Sequence, residues 1–244
     1  MPAEGTTQQF HEAWSHVRDV DGWLTEAQAR TLFAAAAAVP QDRAIVEIGS
    51  HHGKSTIILA SAAQHGVPVF AIDPFADERW GGGVPARTRF HENLQRAGVD
   101  AKVEAMRMTS TCAADRWDGR PVGLVYLDGA HDEESVLEDI DRWGSMLDNA
   151  GRLFIHDCFS SIGVTSAVIR RLAFSLTLAF SGNVGTLAIF EKRRISTRRR
   201  VLALIRLMLR TPYFARNLLV KVALRKRWTR LHRLAGHRDC CDPF

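Results

Sequence analysis

Short apolar runs alternate with stretches of helical spacing through the middle of the chain. Ala44 to Ile48 (AIVEI), Val67 to Asp73 (VPVFAID), Lys102 to Met106, Val122 to Leu127 (VGLVYL) and the RLFIH segment at 152–156 have the length and apolar character of buried strands. Between them lie amphipathic segments: one opened by Lys54, Ser55 and Thr56 and continuing as IILASAAQ, one over Thr88 to Ala97, and one over Asp132 to Leu147. Acids in the first turn of the last, Asp132 to Glu134, complement its helix dipole. Strands alternating with helices predict a parallel sheet covered on both faces. Ser175 to Phe180 and Val184 to Phe190, joined by SGN, instead alternate with period two and predict a terminal β-hairpin.

Helical spacing also marks both ends. Phe10, Trp14 and Val17 share a face over 7–18, and Thr25 with Gln28 forms a capping box before ARTLFAAAAAV, which stops ahead of Pro40. Core packing is the favoured role for Trp14 and Trp23, contact with a substrate the alternative. Near the C-terminus, Val201, Leu204, Ile205 and Met208 share a face within Arg198 to Arg210; Pro212 breaks the pattern. Tyr213 to Leu234 then repeats it through Phe214, Leu218, Val222 and Leu231. Three parts are expected: a helical cap over 1–40, an α/β domain over 41–193, and a basic helical tail over 194–244.

The strand at Ala44 to Ile48 ends in Gly49-Ser50-His51-His52-Gly53 against a helix N-terminus, a place to hold a nucleotide-like ligand. Two readings compete for it. Gly53-Lys54-Ser55 matches the end of a P-loop, G-x-x-x-x-G-K-[ST], but the first glycine would fall at position 48, which is Ile. The other is E-x-G-x-x-x-G, formed by Glu47, Gly49 and Gly53. Asp73 favours the second. It closes the next strand about 20 residues on, where a carboxylate binds ribose hydroxyls, and a P-loop protein has no need of it. Pro74 to Arg89 is Gly-rich and charged, suited to a substrate loop, with Arg79 and Trp80 as candidate contacts.

Two further strands deliver chemistry to the same edge. Asp128-Gly129-Ala130-His131 follows one, and His156-Asp157 follows the next. With Glu47, Gly49 and Gly53, these segments resemble the class I S-adenosylmethionine-dependent methyltransferases. YLDGAHDEESVLEDI with LFIHDCF resembles in particular the metal-assisted O-methyltransferases that act on sugars and small natural products. The resemblance spans about 40–192. It implies a Rossmann-like, doubly wound, mostly parallel seven-stranded sheet with a C-terminal antiparallel hairpin. It also implies S-adenosylmethionine held by Glu47, Gly49, Ser50, Gly53, Ser55, Thr56, Asp73, Ser110 and Asp128. Magnesium or another divalent cation would sit on Asp128, His156 and Asp157, with Asp128 and His131 catalytic and His131 the general base. The sequence departs from the pattern at His156, where magnesium-binding relatives carry Asp or Glu. Imidazole suits zinc, iron or nickel better than magnesium.

The expected activity is O-methylation of a sugar hydroxyl in a glycoside, oligosaccharide or glycolipid. A small non-sugar natural product is the alternative acceptor, and a catalytically silent S-adenosylmethionine-binding protein the alternative class. A P-loop nucleotide hydrolase is disfavoured. Cys158 is read as a small buried residue, since methyl transfer needs no covalent intermediate.

Composition changes the picture only at the tail. The 244 residues are 46% hydrophobic and 24% charged, ordinary for a globular domain. The net charge of +5 conceals an asymmetry: 191–244 carry 16 Lys/Arg against 3 Asp/Glu, leaving 1–190 with 16 against 24. The basic helices suit an anionic membrane surface, a packing or homo-oligomer contact, or, least favoured, nucleic acid. Neither a signal peptide nor an 18-residue apolar run is visible, and the four cysteines show no zinc spacing. A cytoplasmic location follows as the expectation, with a peripheral place at the inner membrane face if the tail binds lipid.

Overall fold

Alternate side chains of each central strand enter two separate apolar cores, which is why these strands read as continuous hydrophobic runs. The computed structural model describes residues 4–76, 83–226 and 228. Strands β1 (Ala44–Ile48), β2 (Val69–Ile72), β3 (Val103–Met106), β4 (Val122–Leu127), β5 (Leu147–Ile155), β6 (Leu178–Val184) and β7 (Leu187–Lys192) form one sheet in the order β3-β2-β1-β4-β5-β7-β6. Strands β1 to β5 run parallel; β7 is antiparallel to β5 and to β6. This is the mostly parallel, doubly wound sheet expected from the sequence.

Ile45, Leu124, Tyr126 and Phe154 face one core, with helices α1 (Glu4–Val17), α2 (Glu26–Ala37) and α3 (Lys54–Ala62) over it. Val46, Val125, Leu153 and Ile155 face the other, with Trp143 of α6 (Glu133–Met146) and Val168 of α7 (Ile162–Leu172). Burying each large aliphatic or aromatic side chain is worth about 1.5–3 kcal/mol, so the sheet is clamped from both sides. The capping box at the start of α2 forms as predicted: Thr25 accepts from Gln28 N–H, and Gln28 Oε1 from Thr25 N–H. Gln28 Nε2 also donates to Thr186 Oγ1, tying α2 to the β6–β7 turn.

Register sets the functional edge. Ile48 pairs with Ile72 on one side and Leu127 on the other, and Leu127 pairs with Ile155. The residues that follow these strands, Gly49, Asp73, Asp128 and His156, therefore emerge side by side. The order reverses direction between β1 and β4, the crevice where open α/β sheets bind ligands.

Several elements differ from the sequence expectation. The hairpin turns at Gly185-Thr186, not at SGN: Val184 pairs with Leu187, and residues 181–183 lie inside β6, where a register shift at Phe180/Gly182 absorbs the extra residue. Helix α4 (Gly83–Arg96) begins five residues earlier than predicted. Helix α5 (Ser110–Asp115) and α7 were not foreseen; the former is short, and the latter opens on small residues that mask its start. The tail forms α8 (Thr197–Met208) and α9 (Thr211–Arg225). In α8 the predicted apolar face points largely outward, with Val201, Ile205 and Met208 exposed, while Leu207 is buried against the second core. Arg79, Trp80, Leu231, Cys240 and Cys241 lie outside the described residues.

Candidate active site

At the β1 end, Gly49 has φ +87° and a Cβ built on it would lie 2.1 Å from the Asp128 carbonyl oxygen. The ends of β1 and β4 thus approach so closely that only glycine fits. Asp73 fastens the turn: its Oδ2 accepts from the N–H groups of Ser50 and His51, both at 2.9 Å, and its Oδ1 from Phe75 N–H at 2.6 Å. Oδ2 is thereby saturated, while Oδ1 keeps a lone pair beyond its bond to Phe75. Gly53 caps α3 in the left-handed region.

Behind the turn, Glu47 is fully buried and accepts a hydrogen bond from Thr56 Oγ1. Burial pushes its carboxyl up to about 7, although the hydroxyls of Ser55 and Thr56 act the other way. Glu47 Oε1 and Ser50 Oγ are buried with no hydrogen-bond partner among the described residues. A buried carboxylate oxygen without a donor is costly, and a cationic ligand group would satisfy it.

Lys54 decides between the two readings of this turn. Its Nζ donates to the carbonyl oxygens of Val20 at 2.9 Å and Gly22 at 3.4 Å, outside the glycine turn. It braces the α1–α2 connection and does not reach into the loop as a phosphate ligand would.

The β4 and β5 ends carry a denser set of charges. Asp128 Oδ2 accepts from the Tyr126 hydroxyl at 2.9 Å, and its Oδ1 lies 3.2 Å from His156 Nδ1. Asp157 Oδ2 lies 3.1 Å from His131 Nε2 and 3.8 Å from His156 Nδ1. Exposure separates the two histidines: the His156 side chain is 1% exposed and the His131 side chain 44%. His156 is an internal counter-charge beneath the carboxylates, and His131 stands at the mouth. Burial opposes the His156 imidazolium, yet Asp128 and Asp157 outweigh it and raise its pKa well above the ordinary value. The bond to Asp157 raises His131, against a smaller opposing effect of burial. Burial alone would raise Asp157, but the two histidines hold it well below the usual carboxylate range.

One donor atom each from Asp128, His131 and Asp157 lie within 4.8 Å of one another, a grouping able to hold a metal ion. His156 is not in that group. The trio expected from the sequence placed His156 in the coordination set and His131 outside it; the geometry gathers His131 instead.

The loop after β5 is held in an uncommon conformation. Asp157 and Phe159 have φ of 53° and 68°, and a bulky aromatic residue in the left-handed region needs support from its surroundings. Phe159 N–H donates to Thr165 Oγ1 at 2.9 Å, and Phe159 O accepts from Asn217 Nδ2 of α9 at 2.8 Å. Ser160 Oγ donates to Asp157 Oδ1 at 2.8 Å. The start of α7 abuts the His131 segment closely enough that a Cβ on Gly163 would lie 2.3 Å from His131 O. Burial lowers the Lys221 ammonium, one turn beyond Asn217, while the Asp157 carboxylate acts to raise it.

Ser110 is otherwise engaged: its hydroxyl donates to Asp139 of α6, whose carboxyl burial pushes up to about 6. Cys158 is buried and burial raises its thiol, which leaves no reactive thiolate. Trp14 stacks on Phe10 in the core, whereas Trp23 is exposed against the His51 ring.

Tyr126, Thr165, Asn217 and Lys221 were not foreseen as parts of the site. Tyr126 was detectable, because residues i and i+2 of a strand share a face and Asp128 lies two beyond it. Asn217 left a fainter signal as an amide within an apolar helical stripe.

Comparison with known proteins agrees with this geometry. Residues 46–158 match a family model described as a methyltransferase domain. Among solved structures, cofactor-bound Rv0187 from MTB is 18% identical with a TM-score of 0.59, covering 79% of this chain and 92% of that one. The O-methyltransferase TomG from Streptomyces achromogenes, involved in tomaymycin synthesis and solved with SAM, is 17% identical with a TM-score of 0.56, covering 79% and 91%. An O-methyltransferase from Bacillus cereus in complex with SAH is 16% identical with a TM-score of 0.52, covering 79% and 93%. At such identities the likeness is one of fold. The strand order and the glycine turn with its acid accord with the match: the chain has the Rossmann-like methyltransferase fold, and residues 46–158 of it match a methyltransferase domain.

Proposed function

We propose that the protein methylates a hydroxyl group of a sugar, within a glycoside, oligosaccharide or glycolipid, with His131 as general base. One observation carries this reading: an exposed imidazole is held 3.1 Å from a half-buried carboxylate, Asp157, at the strand edge that also carries the glycine turn. The sugar class rests on the resemblance of the segments around Asp128 and Asp157 to sugar O-methyltransferases.

S-adenosylmethionine supplies a methyl group already made electrophilic by its sulfonium. The residues fit that cofactor. Gly49 keeps the β1–β4 crevice open to close backbone approach, the orphaned Glu47 Oε1 and Ser50 Oγ suit an ammonium, and Asp73 Oδ1 retains a lone pair for a ribose hydroxyl. A sugar hydroxyl is a poor nucleophile at neutral pH, so the chain must take its proton. Asp157 orients the His131 ring through Nε2 and stabilises the imidazolium, which leaves Nδ1 to accept the acceptor's proton. Asp128 and Asp157 would hold a divalent cation, which would acidify and orient vicinal acceptor oxygens, while His131 serves as the base.

Methyl transfer to a panel of glycosides, with chelator and with added magnesium or zinc, tests both parts. The expected result is turnover that chelator abolishes, magnesium restores, and His131→Ala removes while cofactor binding persists. Turnover unaffected by His131→Ala would remove the base role; turnover indifferent to chelator would remove the metal. A non-sugar small molecule is the second acceptor class, supported by the fold likeness to the tomaymycin O-methyltransferase. Absence of turnover with every acceptor despite tight cofactor binding would point to a silent binding protein.

A further inference from the structure

Helix α8 has two apolar faces, and the fold uses one. Leu207 is buried, and Ala203 and Leu204 pack partly against the core beneath β6. That inner contact already anchors the helix. On the outer side, Val201, Leu202, Ile205, Met208 and Leu209 are 48–71% exposed. At about 100° per residue these five cover an arc of about 120°, too ordered to be scattered surface residues.

Arginines border the same stripe. Arg199, Arg206 and Arg210 project along one flank, and Arg198 sits at its N-terminal end. The α7–β6 turn lies near the start of the helix, where Ile195 N–H bonds to Leu176 O, and its Phe174 and Leu176 are 67% and 63% exposed. No acidic residue occurs between Glu191 and Asp239.

We propose that the outer face of α8, with the Phe174–Leu176 turn beside it, is a docking surface for an anionic lipid bilayer, on which α8 lies parallel to the membrane. The charge selects the partner. An apolar stripe flanked by arginines with no acid nearby complements a surface of negative headgroups over an apolar interior. A second copy of the same face would bring arginine against arginine. No helix among the described residues is long and apolar enough to cross a membrane, so the helix lies on the surface and does not span it. The inference is independent of the methyl acceptor.

The test is flotation of the full chain with vesicles of phosphatidylcholine alone or mixed equally with phosphatidylglycerol. Binding is expected only to the mixed vesicles and should weaken at high salt. Ile205→Asp with Leu209→Asp should cut it at least ~10-fold by removing the apolar insertion, and Arg199→Gln with Arg206→Gln and Arg210→Gln by a similar factor. Both sets alter exposed side chains, so unchanged cofactor binding by calorimetry serves as the control for folding. Failure of the full chain to float with mixed vesicles would overturn the proposal, as would equal flotation of all variants. So would a stable dimer in sedimentation equilibrium that Ile205→Asp with Leu209→Asp dissociates, because the face would then belong to a second copy.

Discussion

The two halves of the functional edge solve the burial of carboxylates in opposite ways. On the β1–β2 side, Asp73 is held by three backbone N–H groups, and Glu47 meets neutral hydroxyls while one of its oxygens is left without a donor. On the β4–β5 side, Asp128 and Asp157 face the imidazoles of His131 and His156. The first half therefore holds a negative group that lacks a cation, and the second supplies its own. Under the proposed function, one half would receive positive charge from a ligand and the other would take up a proton.

The largest test of this contrast is His131→Ala. Turnover should fall by about 10²–10⁴-fold, with cofactor affinity unchanged in calorimetry because the charge removed belongs to the other half. A matching loss of cofactor affinity would merge the two halves into one unit.

Next in size is Asp157→Asn. It strands the buried His156 imidazolium with one partner fewer, and breaking a buried pair costs about 3–5 kcal/mol. Chemical denaturation at neutral pH should show that loss. Because the native Asp157 pKa is depressed, its stabilisation is present above the ordinary aspartate range and fades as the solution is acidified. The variant and wild type should therefore converge at low pH. The raised histidines act from the other side, stabilising fully below about 6.5 and less as pH climbs through their native values.

Glu47 should respond with the reverse sign. Its carboxyl rises from 4.5 to about 7 on folding, so the native state binds a proton that the unfolded chain has released, and stability falls as pH rises between these values. The full cost approaches about 3 kcal/mol above neutrality. Glu47→Gln should be neutral near pH 4 and stabilising at pH 8 in urea titrations, yet weaken S-adenosylmethionine binding. In the wild type, cofactor binding below pH 7 should release protons, detectable as buffer-dependent heats. A Gln variant that binds the cofactor as tightly as wild type would deny this half its cationic guest.

The smallest effect expected is that of Asn217→Ala. It leaves the buried Phe159 carbonyl without its donor and should cost about 1–3 kcal/mol. Turnover should suffer more than cofactor affinity, since the loop it supports carries Asp157.

Much of this edge was legible in the chain. The glycine turn, Asp73, Asp128 and Asp157 were readable because each closes a short apolar run, and strand ends in a parallel sheet converge by register. Division of labour between the histidines was not. His131 and His156 look equivalent in sequence, and only packing beneath Tyr126 and the two carboxylates makes one internal. The hairpin turn was misplaced because SGN and the VGT that follows carry the same turn chemistry; pairing of Val184 with Leu187 selects the later site. The tail forms helices as read, α8 and α9; periodicity found the apolar face of α8 but left open which way it points.

Asn217 has a consequence for the chain's architecture. Composition changes abruptly near residue 194, and a biochemist trimming a sticky basic extension would cut there. Yet the amide that secures the loop after β5 lies beyond the cut. A shortened gene product would keep every residue of the sheet and every candidate catalytic group, and would still lose a tether of the loop that carries Asp157. A fragment ending before α9 should therefore lose at least as much stability as Asn217→Ala, about 1–3 kcal/mol, and fold with a looser segment after β5.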